Sequence, residues 1–230
     1  MERGLKLSHK GFLQLKNEPY KYQQYDWLYI GTEFCDNLLE LYLENIEILK
    51  IVPNNICFLT PPMTEKGIDV FKNLVAKIKK YKNVKEITIN DLGSLNIINC
   101  LTNINMGRYL SKFFIKVKQN SIHLDNSLFL LTNKYNIKKI ELTFIFNQKN
   151  KHYPHFFKKI PKTLSFTLYY PYFNLTTTMS CITGVDDIAK SEDINFKKCN
   201  YECISNTWEI KLKKEKLIIN GNTIYKKYEN

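Results

Sequence analysis

The sequence predicts an α/β fold around a parallel sheet, and three observations carry that expectation. Short apolar strands alternate with stretches of helical periodicity at least three times between Tyr25 and Cys100. Turn residues punctuate the strand ends at Gly31, Pro61–Pro62 and Asp91-Leu92-Gly93. Apolar residues make up 44% of the chain, enough for a sizeable core and too many for disorder.

Taken in order, residues 1–25 are polar with scattered Tyr and Pro and read as an entry segment. Tyr25–Gly31 reads as a short buried strand, and Leu38–Lys50 has helix-like spacing. Asn55–Pro61 reads as the second strand. Thr64 is placed to cap a helix whose apolar residues Ile68, Phe71, Leu74, Val75 and Ile78 share one face. Val84–Asn90 reads as a third strand, followed by a short helix to about Cys100. Asn126–Tyr135 looks helical; Lys138–Phe146 and Lys162–Tyr170 look like strands. The tail alternates apolar and polar residues about Asn220–Gly221, so residues 208–227 read as a closing β-hairpin. No internal repeat or low-complexity block interrupts the chain.

Several function classes lose support at this level. No stretch approaches the roughly 18–20 apolar residues of a membrane helix, and the N-terminus lacks the apolar core and cleavage site of a secretory signal. The expected setting is cytoplasmic, with no membrane partner. A net charge of +12 allows electrostatic binding of RNA. Nearly all the basic residues are Lys, however, and only Arg3 and Arg108 offer the guanidinium fork suited to phosphates and bases. A solvated Lys surface is therefore the stronger reading. There is no Ser/His/Asp arrangement, Gly-rich phosphate loop or H-E-x-x-H motif. His152 and His155, i and i+3 across a Pro, read as part of a basic loop over 147–161 rather than as a metal pair.

The cysteines carry the chemistry. Six in a cytosolic protein argue against disulfides. Cys199 and Cys203 are four apart, so one helical turn brings both thiols to one face, and Cys181 precedes them by a 17-residue loop. Thiolates select zinc or iron–sulfur clusters. Spacing thus supports a three-cysteine site, zinc and iron both remaining open. Cys57, in an apolar strand, and Cys100, ending an apolar helix, read as buried packing residues.

The segment Trp27–Cys35 (WLYIGTEFC), the strand-DLG run Ile87–Ile98, the approach Leu164–Cys181 and the Cys199-x3-Cys203 pair resemble, in order, the collagenase-like peptidase family U thirty-two. The likeness is nearest to its anaerobic ubiquinone-biosynthesis members and covers most of residues 27–203. It implies a [4Fe–4S] cluster held by Cys35, Cys181, Cys199 and Cys203, with Cys35 as fourth ligand and iron–sulfur favoured over Zn²⁺. It implies a TIM-like β/α barrel, whose eight-stranded circuit a 230-residue chain need not complete, with residues 1–230 as one domain. It further implies a part in oxygen-independent hydroxylation, alone or as a hetero-oligomer with a related family member. Alternatives are an RNA-binding or RNA-modifying relative, a zinc-stabilised non-catalytic domain and, last, a peptidase.

Three residues are candidate substrate contacts. Asp91 follows a strand and is equally suited to be a helix N-cap. Arg108 could anchor an anion through its fork, although a surface ion pair is the plainer reading. Tyr170 belongs to a Tyr/Thr-rich approach to Cys181 in which hydroxyls could donate to cluster sulfurs, or which is ordinary strand composition.

Overall fold

The computed structural model describes residues 2–98, 103–118, 121–142, 164–169 and 172–174, with the short strands 209–211, 218–219, 222–223 and 226–229. Seven parallel strands form the frame: β1 (Gly4–Leu7), β2 (Trp27–Gly31), β3 (Asn55–Leu59), β4 (Val84–Ile89), β5 (Ile104–Met106), β8 (Ile137–Leu142) and β9 (Ser165–Leu168). Neighbours in this order pair parallel throughout. Between β5 and β8, β6 (Ile115–Lys118) and β7 (Ser121–Leu124) make a separate antiparallel pair. β10 (Tyr172–Asn174) pairs with β11 (Glu209–Lys211), and β12 (Ile218–Ile219) with β13 (Asn222–Thr223), both antiparallel. β14 (Lys226–Glu229) runs parallel beside β1. Most of the expected 208–227 hairpin lies outside the described residues.

Helices α1 (His9–Gln14), α2 (Leu38–Glu44), α3 (Glu65–Ile78), α4 (Leu92–Ile97), α5 (Arg108–Phe114) and α6 (Asn126–Lys134) connect the frame. Thr64 caps α3 as its position predicts, accepting a bond from the Gly67 N–H, and the α3 face Phe71, Leu74, Val75 and Ile78 is buried. The run Leu38–Lys50 is not one helix. It breaks at Asn45, whose Nδ2 donates to the Leu41 carbonyl at 3.0 Å, and continues as a 3₁₀ helix over Ile46–Ile51. The N-terminal segment corrects the sequence reading: residues 1–25 are not merely an entry segment but contain β1 and α1. Ser8 caps α1 through the Gly11 N–H. No helix among the described residues is long and apolar enough to cross a membrane.

The sheet curls into a half-barrel. From β2 to β9 there are five inter-strand steps, which would span roughly 24 Å in a flat sheet. Yet the Tyr29 hydroxyl lies 3.5 Å from Thr167 Oγ1 on β9, and Lys139 of β8 sits 4.7 Å over the Trp27 ring of β2. Strand register sorts the side chains onto two faces. Leu5, Leu28, Ile30, Ile56, Phe58, Ile87, Ile89, Met106 and Ile140 belong to the main apolar core, where the helices cover the convex side. The concave face carries Lys6, Trp27, Tyr29, Cys57, Glu86, Thr88, Asn105, Lys139, Glu141 and Thr167. Its interior combines a small apolar cluster of Trp27, Tyr29, Cys57 and Leu59 with polar side chains that are held by hydrogen bonds.

Candidate functional site

The C-terminal ends of parallel strands point their loops to one mouth, the end that carries chemistry in β/α sheets. Gly31 ends β2 at φ +123°, a backbone conformation that L side chains rarely adopt, and passes within 3.1 Å of β3 through the Thr32 N–H to the Leu59 carbonyl. This turn sends Glu33 inward. Its carboxylate accepts from Lys6 Nζ at 2.7 Å and from Arg108 Nε and Nη2 at 2.9 and 2.6 Å. Arg108 enters from the opposite side, at the start of α5. Gly107 makes the approach possible: a Cβ there would lie 2.2 Å from Asn90 Oδ1. Asn90 fixes the same corner, donating to the Thr60 carbonyl at 2.7 Å and accepting from the Tyr109 N–H at 3.0 Å. Lys6, Glu33 and Arg108 are all buried.

Burial alone would raise the Glu33 pKa. The Arg108 guanidinium, then the Lys6 ammonium, reverse that and hold the carboxyl well below the usual carboxylate range. Beneath this array Arg108 stacks on Tyr169, Cζ to ring centroid 3.9 Å. The Tyr169 hydroxyl donates to Glu141 Oε2 at 2.5 Å, and Thr88 Oγ1 donates to Glu141 Oε1 at 2.8 Å. Deeper in the barrel Cys57 Sγ lies 3.2 Å from Thr88 Oγ1 and accepts from Asn105 Nδ2 at 3.5 Å. Asn105 Nδ2 also donates to Glu86 at 2.7 Å, and Lys139 grips both Glu86 oxygens at 2.6 and 2.8 Å. Three cations, Lys6, Arg108 and Lys139, thus share the interior with three carboxylates, Glu33, Glu86 and Glu141. Burial, followed by Glu141 and Glu86, pushes the Cys57 thiol far up, so it is a protonated thiol and not a nucleophile.

The predicted site residues fall out as follows. Cys35 is half-buried two residues past Glu33, on the loop leaving β2 at the mouth. Its neighbour Asp36 anchors that loop by accepting from the Thr64 N–H and hydroxyl at 2.9 and 2.5 Å. Asp91 is the N-cap of α4; its two oxygens accept from the Ser94 N–H and hydroxyl at 2.8 and 2.6 Å. Arg108 is not a surface ion pair. It is fully buried, because α5 starts directly at the barrel rim, and the guanidinium edge that would grip a ligand carboxylate already grips Glu33. Cys57 is buried as expected, but on the polar face. Cys100, His152, His155, Tyr170, Cys181, Cys199 and Cys203 lie outside the described residues. Among the described residues no group of three or more His, Cys, Asp or Glu could hold a metal ion.

Sequence reading missed Lys6, Glu86, Asn105, Lys139 and Glu141, and took Tyr169 only as part of the aromatic approach to Cys181. One signal was present: Val84–Ile89 and Ile137–Leu142 carry acidic and basic residues within strands whose parallel setting predicts continuous apolar runs. No protein-family model matches the chain, and no curated protein matches it.

Proposed function

We propose that this chain is an iron–sulfur protein on a TIM-like β/α half-barrel, of the collagenase-like peptidase family U thirty-two type, taking part in oxygen-independent hydroxylation with a related partner. The observation that supports the reading is the position of Cys35, half-buried at the mouth where β2 ends, beside an interior of buried charged groups. A thiolate there suits the chemistry of the group. The ligand set would be Cys35, Cys181, Cys199 and Cys203, of which Cys35 alone lies within the described residues.

A bound [4Fe–4S] group supplies one-electron transfer. The chain's own residues do the rest. Asp36 and Thr64 hold the Cys35 loop against α3, and Gly67 permits this contact, since a Cβ there would lie 2.3 Å from Asp36 Oδ2. Glu33 fixes Lys6 and Arg108, whose positive charges suit an anionic centre at the mouth. Tyr169, stacked under Arg108, closes the interior behind them.

Anaerobic purification with a visible spectrum and metal analysis tests the reading. A brown protein with about four iron atoms per chain, lost on Cys35→Ala and on Cys199→Ala with Cys203→Ala, is expected. A colourless protein holding one zinc overturns it.

A further inference from the structure

Lysines gather at the base of the half-barrel, the end away from the mouth. Two segments meet there: the 3₁₀ helix Ile46–Ile51, which leads toward β3, and the turn between α3 and β4. Tyr81 ties them together by donating to Glu47 at 2.8 Å, and Asn83 Nδ2 does so by donating to the Leu49 and Val52 carbonyls, each at 2.7 Å. Within the turn, the Lys80 N–H donates to the Lys77 carbonyl and the Val84 N–H to the Tyr81 carbonyl, both at 3.1 Å. With Tyr81 held inward, Lys77, Lys79, Lys80, Lys82 and Lys85 stand exposed, next to exposed Lys50. Across residues 45–55 and 77–85 the one carboxylate is Glu47, and Lys50 pairs with it.

A merely solvated lysine surface intersperses its charges with acids. Earlier on α3 that is the case: Lys66 faces Glu40 at 3.9 Å and Lys72 faces Asp69 at 3.1 Å. The five lysines of 77–85 make no ion pair among the described residues. The negative end of the α3 dipole accounts for Lys77 and Lys79, in its last turn and at its C-cap. Lys80, Lys82 and Lys85 lie beyond it.

We propose that this base is a docking surface for the phosphate backbone of duplex RNA. Lysines without an Arg fork act as point charges, which suit phosphates rather than base edges. Single strands are bound through exposed aromatic rings, whereas Tyr81 is buried and bonded to Glu47. A membrane surface calls for a row of apolar side chains beside the charges, and Ile51 is the one large apolar side chain exposed on these two segments. RNA is the duplex of the cytoplasmic setting that the sequence leads us to expect, and its backbone is read by shape and charge. The fixed turn holds the lysine stems in place, so binding orders only the side chains. Because the base faces away from the mouth, RNA held there anchors the chain and leaves the mouth open. No cysteine takes part, so the inference stands apart from the metal centre.

Fluorescence anisotropy of the full chain with a labelled, mixed-sequence RNA duplex of about 20 base pairs tests this, with the affinity followed against salt. Four or five phosphate contacts predict a slope of log K on log salt of about −3.5 to −4.5. The triple variant Lys79→Gln, Lys80→Gln, Lys82→Gln should bind at least about tenfold more weakly at ~100 mM salt, with a slope shallower by about 2.5. Lys10→Gln, Lys66→Gln, Lys72→Gln removes the same charge from exposed lysines on α1 and α3 clear of the base, and should leave the slope unchanged. No binding at that salt overturns the proposal, as does an equal loss in both triple variants, which would make net charge alone responsible. Tighter binding to a DNA duplex of the same length overturns the choice of RNA. Retention on phosphatidylserine vesicles that depends on Lys79, Lys80 and Lys82, without RNA binding, overturns it in favour of a membrane surface. Lysine acetylation footprinting of the wild-type chain keeps the test open where a variant fails to fold. The duplex must then shield Lys79, Lys80 and Lys82 more than Lys10 and Lys66, and equal labelling with and without RNA overturns the proposal.

Discussion

Glu33→Gln removes one buried charge while keeping the shape of the side chain, and its cost can be worked from the mouth. Glu33 accepts three charged hydrogen bonds, from Lys6 Nζ at 2.7 Å and from Arg108 Nε and Nη2 at 2.9 and 2.6 Å. At about 1.5–3 kcal/mol each they sum to roughly 4.5–9 kcal/mol before desolvation. Burying the carboxylate offsets part of this, and removing one partner of a buried pair costs about 3–5 kcal/mol, because the other charges stay buried. We therefore expect Glu33→Gln to lower the unfolding free energy by about 3–5 kcal/mol, read as a lower urea midpoint at unchanged m-value. Arg108→Met should cost a similar amount, and the double variant less than the sum, since the second change removes an already orphaned charge. The pH dependence has a definite sign. Glu33 titrates lower in the folded chain than in the unfolded one, so its contribution is complete above the ordinary carboxylate range. It is lost as pH falls through the depressed folded value. The gap between wild type and Glu33→Gln should accordingly shrink on acidification below about pH 4.5. A Glu33→Gln protein within about 0.5 kcal/mol of wild type, or strictly additive single variants, would refute the reasoning.

Two further outcomes can be checked by the same unfolding measurements. Gly31→Ala should destabilise the chain by about 3 kcal/mol or more, because φ is +123° and the new Cβ would lie 2.2 Å from the Leu59 carbonyl oxygen, a backbone atom that cannot swing aside. Asp91→Ala should cost about 0.5–2 kcal/mol through the lost cap of α4, and iron content should be unaltered in it if Asp91 only caps. A loss of iron in a folded Asp91→Ala protein would count against the capping role alone.

Much of the frame was legible where one local rule was strong. The α3 helix announced itself through Thr64 and five apolar residues at helical spacing; the Thr64 cap and four of the five, Phe71, Leu74, Val75 and Ile78, were found as expected, whereas Ile68 is only half-buried. Strands β2, β3 and β4 were legible as short β-branched or aromatic runs ending in turn residues. The elements that stayed hidden are those whose order comes from distant partners. β1 is only Gly4–Leu7, too short for periodicity, and it exists because Leu5 and Leu7 pack in the core while Lys6 finds Glu33, 27 residues away. Likewise β5 is the three residues Ile104–Met106, stabilised by strands on both sides. Arg108 could be singled out for its rarity, but its burial depended on Gly107 meeting Asn90 across the rim, a contact between segments that sequence spacing cannot announce.

The polarity of the strands offers the sharper lesson. Val84–Ile89 alternates, with Glu86 and Thr88 on one face and Ile87 and Ile89 on the other. Such alternation ordinarily describes a sheet with its polar face in water. Here parallel pairing places helices over the apolar face, and the curl from β2 to β9 folds the polar face in on itself. Polar side chains enclosed in this way must find partners or cost several kcal/mol each. That requirement explains why Glu86 meets Lys139 and Asn105, and why Glu141 meets Thr88 and Tyr169. An aliphatic interior would hold a half-barrel together without such matching. The buried charges of the strands are thus the residues least demanded by the fold, which makes them the place to look for what the fold is for.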